Sequence, residues 1–314
     1  MINYSPIIQK LNSIFFFERS VDVDVLRLDL IDKEISGNKW FKLKKNLEEV
    51  KSKKIKTVIT FGGAFSNHIA ATAAACKMAG LNSIGVIRGE KSDKPNETLA
   101  NAKVNGMHLH YVSRENYNQK NTEVFKRNLT DIFGEHYLIP EGGNNKEGIL
   151  GCSEILIPDW NYDFIFCACG TAATYSGILS SCKPNQKLIG INVLKGENTL
   201  IDNVNLSMRQ IFPQQKFIVI GNEGLEKNGI DTHCITNNYC FSGYAKLDKE
   251  LIDFKNKFEK EYNIPLDYVY TSKLFYAVFD LVLNNKILPN TKILIIHCGG
   301  LQGNKGFEKR YKLN

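Results

Sequence analysis

From residue 57 onward, short apolar runs alternate with glycine turns and helical stretches, and no other feature narrows the possible folds so far. Residues 57–61 form an apolar run, Gly62-Gly63 a turn, and residues 69–79 an alanine-rich helix that ends at Gly80. The rhythm continues with a predicted strand at 83–87, a helix at 98–104 closed by Gly106, a strand at 108–112, a helix at 122–133 and a strand at 137–139. A second series follows, with a helix at 148–156, a strand at 163–167, a helix at 174–181 and a strand at 187–193. It ends with helices at 249–262 and 272–283 and a strand at 292–297. Ahead of both series, residues 21–30 alternate apolar and polar with a period of two, a strand with one wet face. Trp40, Leu43, Leu47 and Val50 then fall on one face of a helix.

Strands and helices alternating at this spacing imply mostly parallel sheets with helices on both faces. Two series, joined near Glu141-Gly142-Gly143-Asn144-Asn145, predict two lobes of class α/β, each an open twisted sheet. A length of 314 residues suits two domains. The large one is expected to take residues 1–50 and 151–314, and the small one, inserted in it, residues 51–150. A hydrophobic share of 43% excludes wholesale disorder. No run approaches the ~20 apolar residues that span a membrane, and the N-terminal stretch lacks the pattern of a signal peptide. The expectation is a cytoplasmic protein with no membrane partner. The net charge of +7 comes from lysine clusters such as Lys42-Leu43-Lys44-Lys45. These lack interleaved arginines and aromatics, so they read as solvated helix faces and not as a nucleic-acid surface. Eight cysteines with no CxxC pair predict buried reduced thiols, and no metal site.

In open α/β sheets, ligands lie beyond the carboxyl ends of the strands, so the turns from strand into helix are where chemistry is expected. Three are unusual. Phe61-Gly62-Gly63-Ala64-Phe65-Ser66-Asn67-His68 puts Ser66 or Asn67 at a helix N-cap, where free N–H groups and the positive dipole end suit a carboxylate or a phosphate. Cys167-Ala168-Cys169-Gly170-Thr171-Ala172-Ala173-Thr174 runs a buried strand into a small-residue loop able to wrap an anion, with hydroxyls from Thr171 and Thr174. It lacks the Gly-Lys-Ser/Thr of a P-loop, so a single phosphate monoester fits better than a nucleoside triphosphate. Lys39, after Ser36-Gly37-Asn38, stands at the helix end that disfavours a cation. A neutral amine there is what Schiff-base formation requires. Each feature alone is equally a cap, a tight turn or a surface lysine.

Together these motifs resemble a known family. Gly37-Asn38-Lys39-Trp40-Phe41-Lys42-Leu43, Gly62-Gly63-Ala64-Phe65-Ser66-Asn67-His68, Cys169-Gly170-Thr171-Ala172-Ala173-Thr174 and Tyr268-Val269-Tyr270-Thr271-Ser272-Lys273 occur in the order seen in the 1-aminocyclopropane-1-carboxylate deaminase / D-cysteine desulfhydrase family. So do Pro140-Glu141-Gly142-Gly143-Asn144 and His297-Cys298-Gly299-Gly300. These are pyridoxal 5'-phosphate enzymes of fold type II, with the active site between a large and a small domain. The resemblance implies that Lys39 bonds covalently to the cofactor aldehyde. Asn67 would hydrogen-bond the cofactor 3′-oxygen, and Gly170, Thr171, Ala172, Ala173 and Thr174 would cup its phosphate. It also implies a catalytic Ser66 in the cradle of the substrate carboxylate, a catalytic Tyr270 beside the substrate for proton transfer, and Asn67 and His68 as polar substrate contacts. A homodimer is usual for the family.

Two positions bear on the substrate. Deaminases of the cyclopropane amino acid are expected to carry Glu after the tyrosine and Leu before the terminal Gly-Gly. Here the places hold Thr271 and Cys298. Threonine is the desulfhydrase-like choice, and its hydroxyl is expected to hydrogen-bond the cofactor ring nitrogen, where a carboxylate would hold that nitrogen protonated. Cys298 matches neither subfamily. The implied reaction is β-elimination of D-cysteine, or a related D-amino acid, to pyruvate, ammonia and sulfide. Ring opening of the cyclopropane amino acid to 2-oxobutyrate and ammonia is the alternative. A non-catalytic protein that binds the cofactor or an amino acid is the second.

Overall fold

A parallel strand covered on both faces must be apolar along its whole length. β7 (Phe164–Cys169) meets that requirement, with all six residues buried. Ile165, Cys167 and Cys169 enter one hydrophobic core, while Phe164, Phe166 and Ala168 enter another on the opposite face. The computed structural model describes residues 2, 4–92, 96–196, 199–225 and 230–313.

In chain order the elements are β1 (Ile8–Lys10), α1 (Ile14–Phe17), β2 (Val21–Arg27), α2 (Asn38–Ser52), β3 (Thr57–Gly62), α3 (Asn67–Ala79), β4 (Asn82–Arg88), α4 (Glu97–Val104), β5 (Met107–Val112), α5 (Arg114–Asn118), α6 (Glu123–Phe133), β6 (Tyr137–Ile139) and α7 (Lys146–Cys152). After β7 come α8 (Ala172–Ser181), β8 (Lys187–Asn192), α9 (Leu200–Ile211), β9 (Val219–Ile220), β10 (His233–Thr236), α10 (Lys249–Tyr262), α11 (Thr271–Leu283), β11 (Thr291–His297) and α12 (Asn304–Tyr311). The chain builds two sheets. One has seven strands in the order β1-β2-β11-β7-β8-β10-β9, and the other four in the order β5-β4-β3-β6. All pairings are parallel except β1 with β2. The chain thus has two open α/β sheets flanked by helices, as the alternation of strands and helices predicts.

Most predicted elements recur with ends moved by a residue or two. The 148–156 helix is the larger correction. It starts earlier, because the Asn145 side chain accepts the Gly148 N–H at 3.0 Å, and it stops at Cys152. The predicted strand at 163–167 runs on to Cys169, so the turn begins only at Gly170. β1, α1, α5, α9, β9, β10 and α12 are additions. β9 has only two residues and β10 four, too short for an apolar run to stand out. Of the three consecutive phenylalanines, Phe16 is buried and Phe17 is 83% exposed. Trp40 and Phe41 both belong to the core. All eight cysteines are free thiols, seven of them buried. Among the described residues no helix is long and apolar enough to cross a membrane.

α2 lies at the centre, packed on α7, α3 and α8. Its contact with α7 depends on Gly151, where a Cβ would stand 1.9 Å from the Phe41 carbonyl oxygen. Neither backbone can yield without moving a whole helix. Gly151→Ala is therefore expected to cost about 2 kcal/mol or more, read as a lower urea midpoint. An unchanged midpoint would show that α2 and α7 are not in tight contact.

Candidate active site

Gly37 enters α2 at φ +72°, and a Cβ there would lie 1.8 Å from the Cys298 carbonyl oxygen. Only glycine permits both the left-handed turn and that approach. The Asn38 N–H donates to the same oxygen at 3.3 Å, which pins the start of α2 to the end of β11. From the first turn, the Lys39 amine donates to Asn38 Oδ1 at 2.8 Å, and Asn38 Nδ2 donates to Thr174 Oγ1 at 2.8 Å. One turn further, buried Lys42 donates to the Gly142 carbonyl at 2.9 Å and to Thr171 Oγ1 at 3.2 Å. Among the described residues neither lysine has a carboxylate within ion-pair distance. Burial first, and the Lys42 charge second, pull the Lys39 amine from 10.5 down to about 7. Burial lowers Lys42 as well. Near neutral pH, Lys39 therefore has a large neutral fraction, the form able to attack a carbonyl.

The opposite wall is the start of α8. Thr171 makes no side-chain cap, so the N–H groups of Ala172, Ala173 and Thr174 have no partner within the helix. The Thr174 hydroxyl accepts from Asn38, and this places the thread between α2 and α8 on that side chain while its N–H faces the helix end. Gly170 is overlain by Tyr270, whose Cε1 would be 2.9 Å from a Cβ at that position. A helix N-terminus and the buried Lys42 side chain meet here, with no acid between them among the described residues. Both favour an anion, and a phosphate group fits the donor set.

α3 supplies the third wall. Ser66 caps it, its Oγ accepting from the Ile69 N–H at 3.3 Å, and the N–H groups of Asn67 and His68 are free of helical partners. His68 Nε2 lies 2.9 Å from Thr60 Oγ1, whose own proton goes to the Ile139 carbonyl. Nε2 therefore donates, and Nδ1 is a bare acceptor. Burial first, then the charges of Lys39 and Lys42, hold this imidazole well below its usual range, so it is neutral. His68 Nδ1 and Asn67 Oδ1 are both buried without a hydrogen-bond partner. Orphaned acceptors of this kind call for a ligand.

Tyr270 and Thr271 are set by Asp267, a buried carboxylate at the head of α11. Its Oδ1 accepts from the N–H groups of Val269 and Tyr270, and its Oδ2 from the Thr271 N–H and hydroxyl, all at 2.8 Å. The single hydroxyl proton of Thr271 goes to Asp267 and its oxygen accepts the Asp267 N–H, so toward a ring nitrogen it has one lone pair to offer and no proton. Burial first, then neighbouring Tyr244 and Asp267, raise the Tyr270 phenol well above its ordinary value, so it keeps its proton. Burial also pushes the Cys298 thiol up to about 12 against the pull of Lys39. It sits beside the amine as a neutral group.

The structure thus brings Lys39, His68, the 170–174 turn and Tyr270 together, with Ser66 and Asn67 beside His68 at the start of α3. Lys42, Asp267 and Tyr244 are additions. Lys42 follows Lys39 by three residues, one turn on the same helix face, which was a usable signal. Asp267, four residues before Thr271, is the spacing of a side chain that folds over a helix start. Tyr244 lies in an irregular loop and leaves no mark in the sequence.

A family model for pyridoxal-phosphate dependent enzymes matches residues 28–299. A putative 1-aminocyclopropane-1-carboxylate deaminase of Pyrococcus horikoshii is 30% identical over 298 residues, covering 91% of this chain and 86% of its own length. A mitochondrial bifunctional D-cysteine desulfhydrase/1-aminocyclopropane-1-carboxylate deaminase of Arabidopsis thaliana is 29% identical, over 89% of this chain and 72% of its own. Among solved structures, an ACC deaminase homologue superposes with a TM-score of 0.81 at 28% identity, covering 100% of this chain and 95% of that one.

The electrostatics give a direct expectation. In competitive acylation of the cofactor-free chain, the Lys39 amine should titrate near 7, and Lys42→Met should move that midpoint upward, because removing a neighbouring cation favours the charged form. A midpoint in the ordinary lysine range would show that the amine is not buried beside Lys42.

Proposed function

The chain belongs to the family of pyridoxal-phosphate dependent enzymes, and from that membership we propose that it is a lyase that eliminates the β-substituent of a D-amino acid, with D-cysteine as the substrate. The observation that carries the reading is the pair of lysines without acids at the start of α2, facing the uncapped start of α8. The family's cofactor brings an aldehyde and a phosphate, and this wall offers a neutral amine for the first and a buried ammonium with free N–H groups for the second.

Lys39 is the residue assigned to the aldehyde. Lys42 Nζ, Thr171 and the N–H groups of Ala172, Ala173 and Thr174 would hold the phosphate, with Gly170 leaving it room. Asn67 would meet the 3′-oxygen. When bound, the pyridoxal ring supplies an electron-withdrawing system that makes the substrate α-proton acidic. Ser66 and the free N–H groups at the start of α3 orient the substrate carboxylate, and the dipole of α3 favours its charge. His68, neutral and with Nδ1 free, offers an acceptor to an ammonium or hydroxyl proton. The Lys39 amine, freed when the substrate's own amine takes its place on the aldehyde, would take the α-proton. Tyr270, held protonated by its surroundings, gives its proton to the departing sulfur. Hydrolysis of the three-carbon remainder yields pyruvate and ammonia. Position 271 holds no carboxylate, which suits a substrate whose own leaving group carries the electrons away.

The ring-opening deaminase is the second reading, favoured by the names of the Pyrococcus relative and of the superposed structure. The two-domain division near residues 50 and 150 belongs to the same proposal. So does a cytoplasmic homodimer, for which the free thiols and the exposed Ile14 and Phe17 speak.

With the cofactor-loaded chain, D-cysteine is expected to yield equal amounts of pyruvate and sulfide, with L-cysteine much slower. Production of 2-oxobutyrate from 1-aminocyclopropane-1-carboxylate, without sulfide from D-cysteine, would replace the first reading by the second. Lys39→Ala should abolish turnover, and Tyr270→Phe should lower kcat by about 10²-fold, the usual share of one positioned acid. Full activity in either would remove that residue from its role.

A further inference from the structure

One turn beyond Tyr270, α11 carries a lysine that the reaction does not use. Lys273 is 1% exposed. Its ammonium donates to three backbone carbonyls, those of Cys240 at 2.8 Å and of Val193 and Gly243 at 3.0 Å each. Three N–H groups meet three acceptors, so the donor set is saturated. Among the described residues no carboxylate lies within ion-pair distance of it. Neutral carbonyls gathered round a buried positive point are the ligand set proteins offer to a bare monovalent cation, whereas a divalent ion is generally held with carboxylates.

The carbonyls come from separate stretches. Val193 follows β8, while Cys240 and Gly243 lie in the loop 240–245. That loop holds three residues in the left-handed region, Phe241 at φ +50°, Gly243 at +110° and Ala245 at +50°. Two of them carry side chains that resist it. A strained segment persists only where its surroundings hold it, and here two of its carbonyls converge on one ammonium. Between those carbonyls and Ala245 stands Tyr244, whose ring lies edge-on to that of Tyr270 with centroids 6.2 Å apart.

We propose that Lys273 is a tethered monovalent cation, filling a carbonyl cage that would otherwise take ammonium or potassium, and that by closing the loop 240–245 onto α11 it positions Tyr244 against Tyr270. The second half rests on Tyr270 working in the site; the cage itself does not. Lys273 acts through the loop and is a positioning residue.

The test uses Lys273→Ala, which removes the charge and its stem and leaves room for a free ion. In the cofactor-free chain, hydrogen exchange at residues 240–245 should speed up by about tenfold or more in tetramethylammonium chloride. Protection should return in ammonium or n-propylammonium chloride of equal ionic strength. In the loaded enzyme, kcat should fall and return with the same salts while KM changes little, and the parent chain should be indifferent to all of them. Lys273→Met, which keeps the stem, should lose protection in the same segment. Undiminished protection in either variant, a loss in Lys273→Ala that no cation reverses, or a parent enzyme that needs added potassium would overturn the proposal. Exchange is read without cofactor or substrate, so failure of the desulfhydrase reading would leave this result standing.

Discussion

Two ammonium groups on adjacent turns of one buried helix end, with no acid to meet them, form the constraint on which the site is organised. Lys39 and Lys42 repel each other, burial penalises both charges, and the positive end of α2 adds to the penalty. A protein tolerates such an arrangement where it does work. One lysine gives up its proton near neutral pH, and the other keeps company with the start of a second helix. In the proposed function these two become a nucleophile and an anion site, three residues apart on the same wall.

The scaffold is built to hold that wall still. α2 is fixed at Gly37 by the end of β11, at Asn38 by Thr174 of α8, and along its length by the close approach of Gly151 to Phe41. The site is thus assembled from the ends of both sheets. β3 leads into Ser66, Asn67 and His68, and β7 leads into the 170–174 turn. Asp267 does for α11 what the peptide contacts do for α2, spending both carboxylate oxygens on the backbone and hydroxyl that carry Tyr270 into place. Preorganisation of this kind is what lets a few ordinary side chains act on a bound reactive group.

Much of this was legible in the sequence because the two sheets are parallel. Parallel strands buried on both faces read as apolar runs, and each must end in a turn where ligands gather. Ser66, Asn67 and the 170–174 turn were singled out that way, and Lys39 by its place at the start of a helix. What escaped did so for physical reasons. The strands β9 and β10 are too short to show a pattern, and the loop holding Tyr244 is irregular. Thr271 illustrates the other limit. Its type marks it as a polar contact for the cofactor ring, but does not show that its proton goes to Asp267, a partner that only the folded chain brings to it. A residue's chemistry is visible in sequence; its hydrogen-bond partner often is not.

The account stands most directly on which amine bonds the cofactor. Borohydride reduction of the loaded protein, followed by digestion and mass spectrometry, would locate the pyridoxyl group. It should be found on Lys39 alone. Its appearance on Lys42, or on any lysine outside the start of α2, would contradict the assignment of nucleophile and anion site on which the rest is built.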